Sequence, residues 1–196
     1  MQVAEGSSLD SASVGDPELF LSLAELQARL ARLGRSPKDS GRVVLIVRKG
    51  PGGRRETPGQ VTLSVTEGVP GDAWGRRPSP HPQAQIATMQ SSVAALIANG
   101  QPLTLFGDNL FLDLDLSREN LPAGSRLRIG GAILEVAALP HDGCRKFLSR
   151  FGADALKFVS GKDLRHLNLR GIYLRVVGDG LVRPGDAVDV IERPSA

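Results

Sequence analysis

LFLDLDLSRENLPAGSRLRIGGAILEVAALP, residues 110–140, carries the reading of the fold. Leu110, Leu112, Leu114 and Leu116 alternate with Phe111, Asp113 and Asp115. Successive side chains of a strand point to opposite faces, so this period of two gathers the leucines on one face. SRENLPAG (117–124) is turn-forming, RLRIG (126–130) reads as a second strand, and AILEVAALP (132–140) reads as a third after a tight Gly-Gly connection. Strands joined so closely run antiparallel. Asp113 and Asp115 could suggest acid–base work, but two residues apart on the outer face of a strand they read as solvated.

Working outward, the same kind of element recurs. GRVVLIVR (41–48) is an apolar, β-branched run that reads as a buried strand. Residues 49–59 supply turn residues but lack the ending of a phosphate loop, so they read as a hairpin turn, with VTLSV (61–65) pairing back on the preceding strand. TEGVPGDAWGRRPSPHP (66–82) is too rich in Gly and Pro for regular structure and forms a long loop carrying Trp74, Arg76, Arg77, Ser79 and His81. His81, between prolines and without a partner at metal-ligand spacing, reads as structural. QIATM (85–89) is a short strand, and Ser91 or Ser92 caps a helix through Ala98, stopped by Asn99 and Gly100. Downstream, CRKFLSRFG and ADALKFVSG are two short helical pieces split by Gly152, followed by strands at 171–180 and 186–192.

At the other end, residues 1–15 have no periodicity and read as a flexible leader. Asp16, Pro17 and Glu18 make a helix start, Leu19, Leu23, Leu26, Leu30 and Leu33 form one stripe, and Gly34 stops it, which predicts a helix over 17–33 packed on the domain. The fold class expected is mainly β (α+β), a largely antiparallel β-barrel with short peripheral helices and an N-terminal helix. The division expected is 1–40 for leader and helix and 41–196 for the barrel domain.

The chain has 196 residues, enough for one well-buried core. No apolar run is long enough to span a bilayer, and the acidic N-terminus does not resemble a secretory signal, so the expectation is a cytoplasmic protein with no membrane partner. Arginine supplies 19 of the 24 basic residues, and guanidinium forks suit phosphate and carboxylate better than lysine does. Aromatic residues are only 4% of the chain, which argues against a nucleic-acid partner bound by base stacking.

The chemistry converges on Cys144, the single cysteine. It stands between a strand and a helix, with Arg145 and Lys146 next in the chain. Helix-end amides and neighbouring cations favour the thiolate, the form that binds soft metals and attacks electrophiles. The competing reading is a small buried hydrophobe. A Cys-His hydrolase would need an imidazole on the thiol, and His141 on the same loop is the one at hand. One cysteine and three histidines cannot supply a four-ligand zinc site. A lone thiolate bound to a metal whose other ligands come from a cofactor fits better.

Several ordered motifs carry a resemblance: EGVPGDAWG (67–75), FGDNL (106–110), NLPAGSRLRIG (120–130), GCRKFLSRFGADALKFV (143–159), LNLRG (167–171) and VVGDGLVRPGD (176–186). Over about residues 42–192 the chain resembles the MOSC domain, as a small standalone member. The resemblance implies the same barrel and points to a molybdenum cofactor, molybdopterin. Cys144 would be the catalytic residue and the metal ligand, and Arg76, Arg77 and Ser79 would hold the cofactor phosphate. Asn109 would lie near the metal, with Arg145 and Lys146 assisting electrostatically. The implied reaction is reduction of N-hydroxylated substrates with a separate electron-donor protein. Two alternatives stay open: a persulfide carrier served by a sulfur-donor protein, and a binding module without catalysis. The family labels of sulfur transfer and pyridoxal phosphate binding come with the same resemblance.

Overall fold

The computed structural model describes residues 14–194. In chain order the strands are β1 (Ser40–Ile46), β2 (Arg48–Lys49), β3 (Arg55–Glu56), β4 (Val61–Leu63), β5 (Ile86–Gln90), β6 (Leu110–Asp113), β7 (Arg126–Ile129), β8 (Ala132–Val136), β9 (Ile172–Gly178), β10 (Gly180–Val182) and β11 (Ala187–Glu192). The helices are α1 (Leu23–Arg32), α2 (Ser91–Ala98) and α3 (Arg145–Ser160). Seven strands close a barrel in the order β1-β11-β7-β8-β9-β5-β6. The class is mainly β with peripheral helices, as the sequence predicts. One pair departs from the antiparallel rule: β5 and β6 run parallel, joined through α2, because parallel neighbours need a crossover rather than a hairpin.

Two apolar layers hold this together. The barrel interior contains Leu110, Leu112, Leu114 and Leu116, the alternating leucines, with Val43, Ile46, Leu127, Leu134 and Leu174. Outside it, Phe111 on the opposite face of β6 is also fully buried, because α1, α2 and α3 cover that side with Leu26, Ile97, Phe147, Phe151 and Phe158. Phe106 stacks on Phe151 at 4.1 Å and meets Phe111 edge-on at 6.0 Å, geometries that aromatic quadrupoles favour. Asp113 and Asp115 are half-buried: Asp113 lies 3.7 Å from Arg42, and Asp115 accepts from the Ser117 amide at 2.9 Å.

Four local predictions shift. The helix expected over 17–33 is a short turn, Pro17–Leu19, then a break, then α1 from Leu23. Ser22 and Glu25 form a reciprocal capping box, which satisfies two end amides where Asp16 satisfies one, so the helix begins there. Its last turn ends in extended backbone at Leu33 rather than at Gly34. Neither Ser91 nor Ser92 caps α2: Gln90 holds the cap position and donates to the Ser92 hydroxyl at 2.9 Å, while the stop at Asn99 is as expected, in the left-handed region at φ 47°. Finally, β4 pairs with β10 and not with the preceding strand, since β2 already pairs with β3 across a tight hairpin. The flexible leader expected over 1–15 falls, through residue 13, outside the described residues. Among those described, no helix is long and apolar enough to cross a membrane.

Candidate functional site

Cys144 occupies the cap position of α3 with extended backbone, and its carbonyl accepts from the Leu148 amide at 3.0 Å. The thiol is exposed. A Cβ on Gly143 before it would sit 2.3 Å from Leu156 Cδ1, so the end of that side chain would have to turn aside. Arg145 and Lys146 are exposed in the first turn of α3. Cations at the N-terminal end oppose the helix dipole, so they do not serve the helix; they raise the local potential around the thiol.

A polar cluster is assembled from five segments, and two of its members, Arg150 and Tyr173, feel Cys144 electrostatically. Arg170, 6% exposed, donates from one guanidinium nitrogen to both oxygens of the fully buried Asp108, at 3.0 and 2.8 Å, and lies over the Phe147 ring at 5.2 Å. His141 stacks on Tyr173 at 4.2 Å. Its Nδ1 is 3.6 Å from Asp108, too far for a hydrogen bond, and has no partner. Burial, then the Arg170 charge, pull the His141 pKa from its usual 6.5 to about 3 against the attraction of Asp108, so at neutral pH the imidazole is uncharged and the contact is not an ion pair. Lys49 donates to the Gly107 carbonyl at 2.8 Å and sits 3.5 Å from Asp72; burial lowers its pKa against the pull of Asp72 and Asp108. Arg55 reaches the Thr104 carbonyl at 2.6 Å, and burial with the repulsion of Arg150 brings it down to about 10, still cationic at neutral pH. Arg150, 5% exposed, has its pKa lowered by burial against an opposing electrostatic pull from Cys144. Burial raises the Tyr173 pKa, with Cys144 among the groups acting on it.

The residues predicted from sequence divide. Asn109 has both ends of its amide engaged: it donates to the Val47 carbonyl and to Asp72, and accepts from the Ala87 amide and Lys49. It ties β1, β5 and the 67–75 loop together. Arg76 donates to the carbonyls of Gly71, Lys49 and Gly50, which pins that loop. Arg77 and Ser79 are exposed, and Arg77 acts electrostatically on Tyr173. His81 is structural, accepting from the Gln83 amide at 3.2 Å and, through its carbonyl, from Trp74 Nε1 at 3.0 Å. The sequence reading assigns Lys49 and Arg55 to a hairpin turn and gives no role to Asp108, Arg150, Arg170 or Tyr173. Asp108 and Arg170 stand inside the quoted FGDNL and LNLRG motifs, and one charge of each sign in two otherwise uncharged motifs is the available signal.

Three buried nitrogens of the cluster have no hydrogen-bond partner among the described residues: Arg55 Nε, Arg170 Nε and His141 Nδ1. Buried polar groups are satisfied in native proteins, so a grouping of unpartnered nitrogens asks for a partner from elsewhere. An anionic ligand bearing a soft centre for sulfur and oxygens for guanidinium groups fits this set. On the far side of His141 a cavity of about 420 Å³ is walled by Leu121, Pro122, Val136, Leu139 and Ile172, with Arg118 and Asn168 at its polar parts. It adjoins the cluster through His141; Cys144 does not line it.

The fold and motifs have counterparts in known proteins. In structure the chain is similar to the YuaD protein from Bacillus subtilis, with a TM-score of 0.56 at 19% identity, covering 76% of this chain and 94% of that one. It is similar to YiiM from Escherichia coli, with a TM-score of 0.53 at 21% identity over 79% of this chain and 72% of that one. YiiM from Geobacillus stearothermophilus gives 0.53 at 20% identity over 78% and 76%. No curated protein sequence matches. At these identities the likeness concerns the fold. The sequence pattern of the MOSC domain, however, matches residues 79–189, more than half of the chain and the span from the 66–82 loop through α3 to β11, and on that match the chain belongs to the MOSC domain family.

Proposed function

We propose that this MOSC domain binds the molybdenum cofactor at the Cys144 face, with the Cys144 thiolate as the one protein ligand to the metal. MOSC domains are associated as a family with that cofactor. The observation that supports the reading is the presence of unpartnered buried nitrogens on Arg55, Arg170 and His141 in a fold whose single cysteine is exposed. Arg55, Arg170 and Lys49 would hold the anionic parts of the group, with Arg145, Lys146, Arg77 and Ser79 at the rim. Asp108 keeps Arg170 in place. Asn109 and Arg76 shape the wall rather than touch the ligand. His141, uncharged near neutrality, offers a hydrogen bond without adding charge. Bound there, the cofactor supplies two-electron oxygen-atom chemistry. The reaction we assign is reduction of N-hydroxylated substrates, with electrons from a separate protein, in the cytoplasm, where a lone cysteine is kept reduced.

Metal analysis tests this. Protein produced in a molybdenum-replete, cofactor-competent host should carry molybdenum and yield a fluorescent pterin on oxidation, and Cys144→Ala should lose the metal while keeping its fold. Folded wild-type protein without either signal rejects the reading. One observation favours a second: the exposure of Cys144, which a sulfur carrier needs in order to meet its donor and acceptor proteins. Mass spectrometry after incubation with a cysteine desulfurase would then show one added sulfur on Cys144, and its absence dismisses the carrier.

A further inference from the structure

We propose that the cavity on the far side of His141 is a binding site for a small apolar monocarboxylate, with Arg118 as the residue that holds the carboxylate. Three separate stretches enclose it: the turn after β6, the run from the end of β8 to His141, and residues 168–172 leading into β9. Its volume of about 420 Å³ lies within the roughly 300–1,000 Å³ of pockets that take small organic ligands. The inner wall is apolar, with Leu121, Val136 and Ile172 each at most 5% exposed. An apolar ligand body gains by leaving water against such a wall, and a polar one loses its hydration without replacement.

The charge on the wall has one sign. Among the described residues Arg118 is the one charged side chain that lines the cavity, and no Asp or Glu does. The Arg118 amide donates to the His166 carbonyl at 2.8 Å, which fixes its backbone, while its guanidinium has neither a hydrogen bond nor an ion pair among the described residues. The amides of Ala138 and Leu139, on the run after β8, likewise have no acceptor among them. His141 is uncharged near neutral pH and adds no second cation. An uncommitted guanidinium fork matches a carboxylate in charge and in plane. A dianion such as a phosphate monoester would leave one of its charges unanswered, and an organic cation would be repelled. The site goes beyond the cofactor reading: Cys144 does not line it, and its occupancy needs no metal.

The test is titration of the full chain with benzoate, benzamide and benzylammonium at constant ionic strength, followed by the backbone amide signals in NMR. Benzoate should shift the amides of Leu121, Ala123, Ala138, Leu139 and Ile172 in a saturable manner and bind roughly tenfold more tightly than either analogue, the margin of a charge-assisted hydrogen bond. Arg118→Gln should remove that preference and leave the weaker binding of benzamide as it was. Ala123→Phe, which fills the cavity from its exposed rim, should abolish the binding of both. Equal affinity for the three compounds, no saturable shift with benzoate, or a preference that survives Arg118→Gln overturns the proposal. So do shifts confined to Lys49, Arg55 and Asn109, which would put benzoate in the polar cluster instead. Should Ala123→Phe fail to fold, Arg118→Gln decides. Molybdenum content is scored separately, so a cofactor-free protein would reject the proposed function and leave this result standing.

Discussion

Arg170 and Asp108 meet in the interior with 8% and 0% of their side chains exposed, joined at 2.8 Å. Taking two charges out of water is costly, and mutual attraction offsets that cost only while both partners remain. Asp108→Asn should therefore cost about 3–5 kcal/mol of stability, measured by urea unfolding, since it strands the guanidinium. A loss under 1 kcal/mol would mean that Arg170 finds another acceptor.

His141 makes stability depend on pH in a defined direction. Its pKa is about 3 in the folded protein against 6.5 for a free imidazole, so between those values the unfolded chain binds a proton that the folded chain does not. The contribution is complete above pH 6.5 and is lost as pH falls toward 3, at up to about 1.4 kcal/mol per pH unit. Carboxylates titrate in the same window, so the comparison is with His141→Phe, which keeps the ring stack on Tyr173. The difference in unfolding free energy between the two proteins should change with pH below 6.5 and level off above it. A pH-independent difference contradicts a buried neutral imidazole.

The cluster should respond to oxyanions before any cofactor is considered. Sulfate at the same ionic strength as chloride should stabilise the wild type by about 1 kcal/mol more, by binding the folded state. Arg55→Gln should remove most of that increment. An equal response to both salts would show that the unpartnered nitrogens of Arg55 and Arg170 accept no anion.

Gly171, next to Arg170, has φ 97°, and a Cβ there would lie 2.1 Å from the Thr88 carbonyl oxygen where β9 meets β5. Gly171→Ala should cost about 2–4 kcal/mol from backbone strain and overpacking together. Gly34→Ala, at a position with open space around it, is the matched control and should be near neutral.

The parts of this molecule that could be read from sequence are those where the information is local. The Leu110 to Leu116 alternation, the Gly130-Gly131 hairpin and the Gly152 break each rest on a few neighbouring residues; the last two stand as expected, and the leucines all face the core although the strand itself ends at Asp113 and its other face buries Phe111. The start of α1 was misread because two capping signals compete there and the reciprocal one at Ser22 prevails. The parallel β5–β6 pair and the β4–β10 pairing depend on partners distant in the chain, which no local pattern reveals.

The site was less legible for the same reason. Lys49, Arg55, Asp108, His141, Arg150 and Arg170 each look like surface residues in their own segments, and only barrel closure brings them together. Arg76 and Asn109 illustrate the reverse. Both stand in motifs that resemble a binding loop, yet the carbonyls of Lys49, Gly50 and Val47 occupy them. Hydrogen-bond capacity already committed to backbone cannot be seen in a one-dimensional string.

Barrel closure also has a temporal meaning. β1 is bound on one side by β6 and on the other by β11, and the Ser40 hydroxyl reaches Asp189 across 149 positions of chain. During synthesis the first strand has to wait, one edge bare, until the last has left the ribosome. Ring formation with such late-arriving partners is slow, because loop entropy is spent before the pairing rewards it. The nascent protein is therefore most exposed to strand-to-strand association with its neighbours in the interval before residues 187–192 emerge.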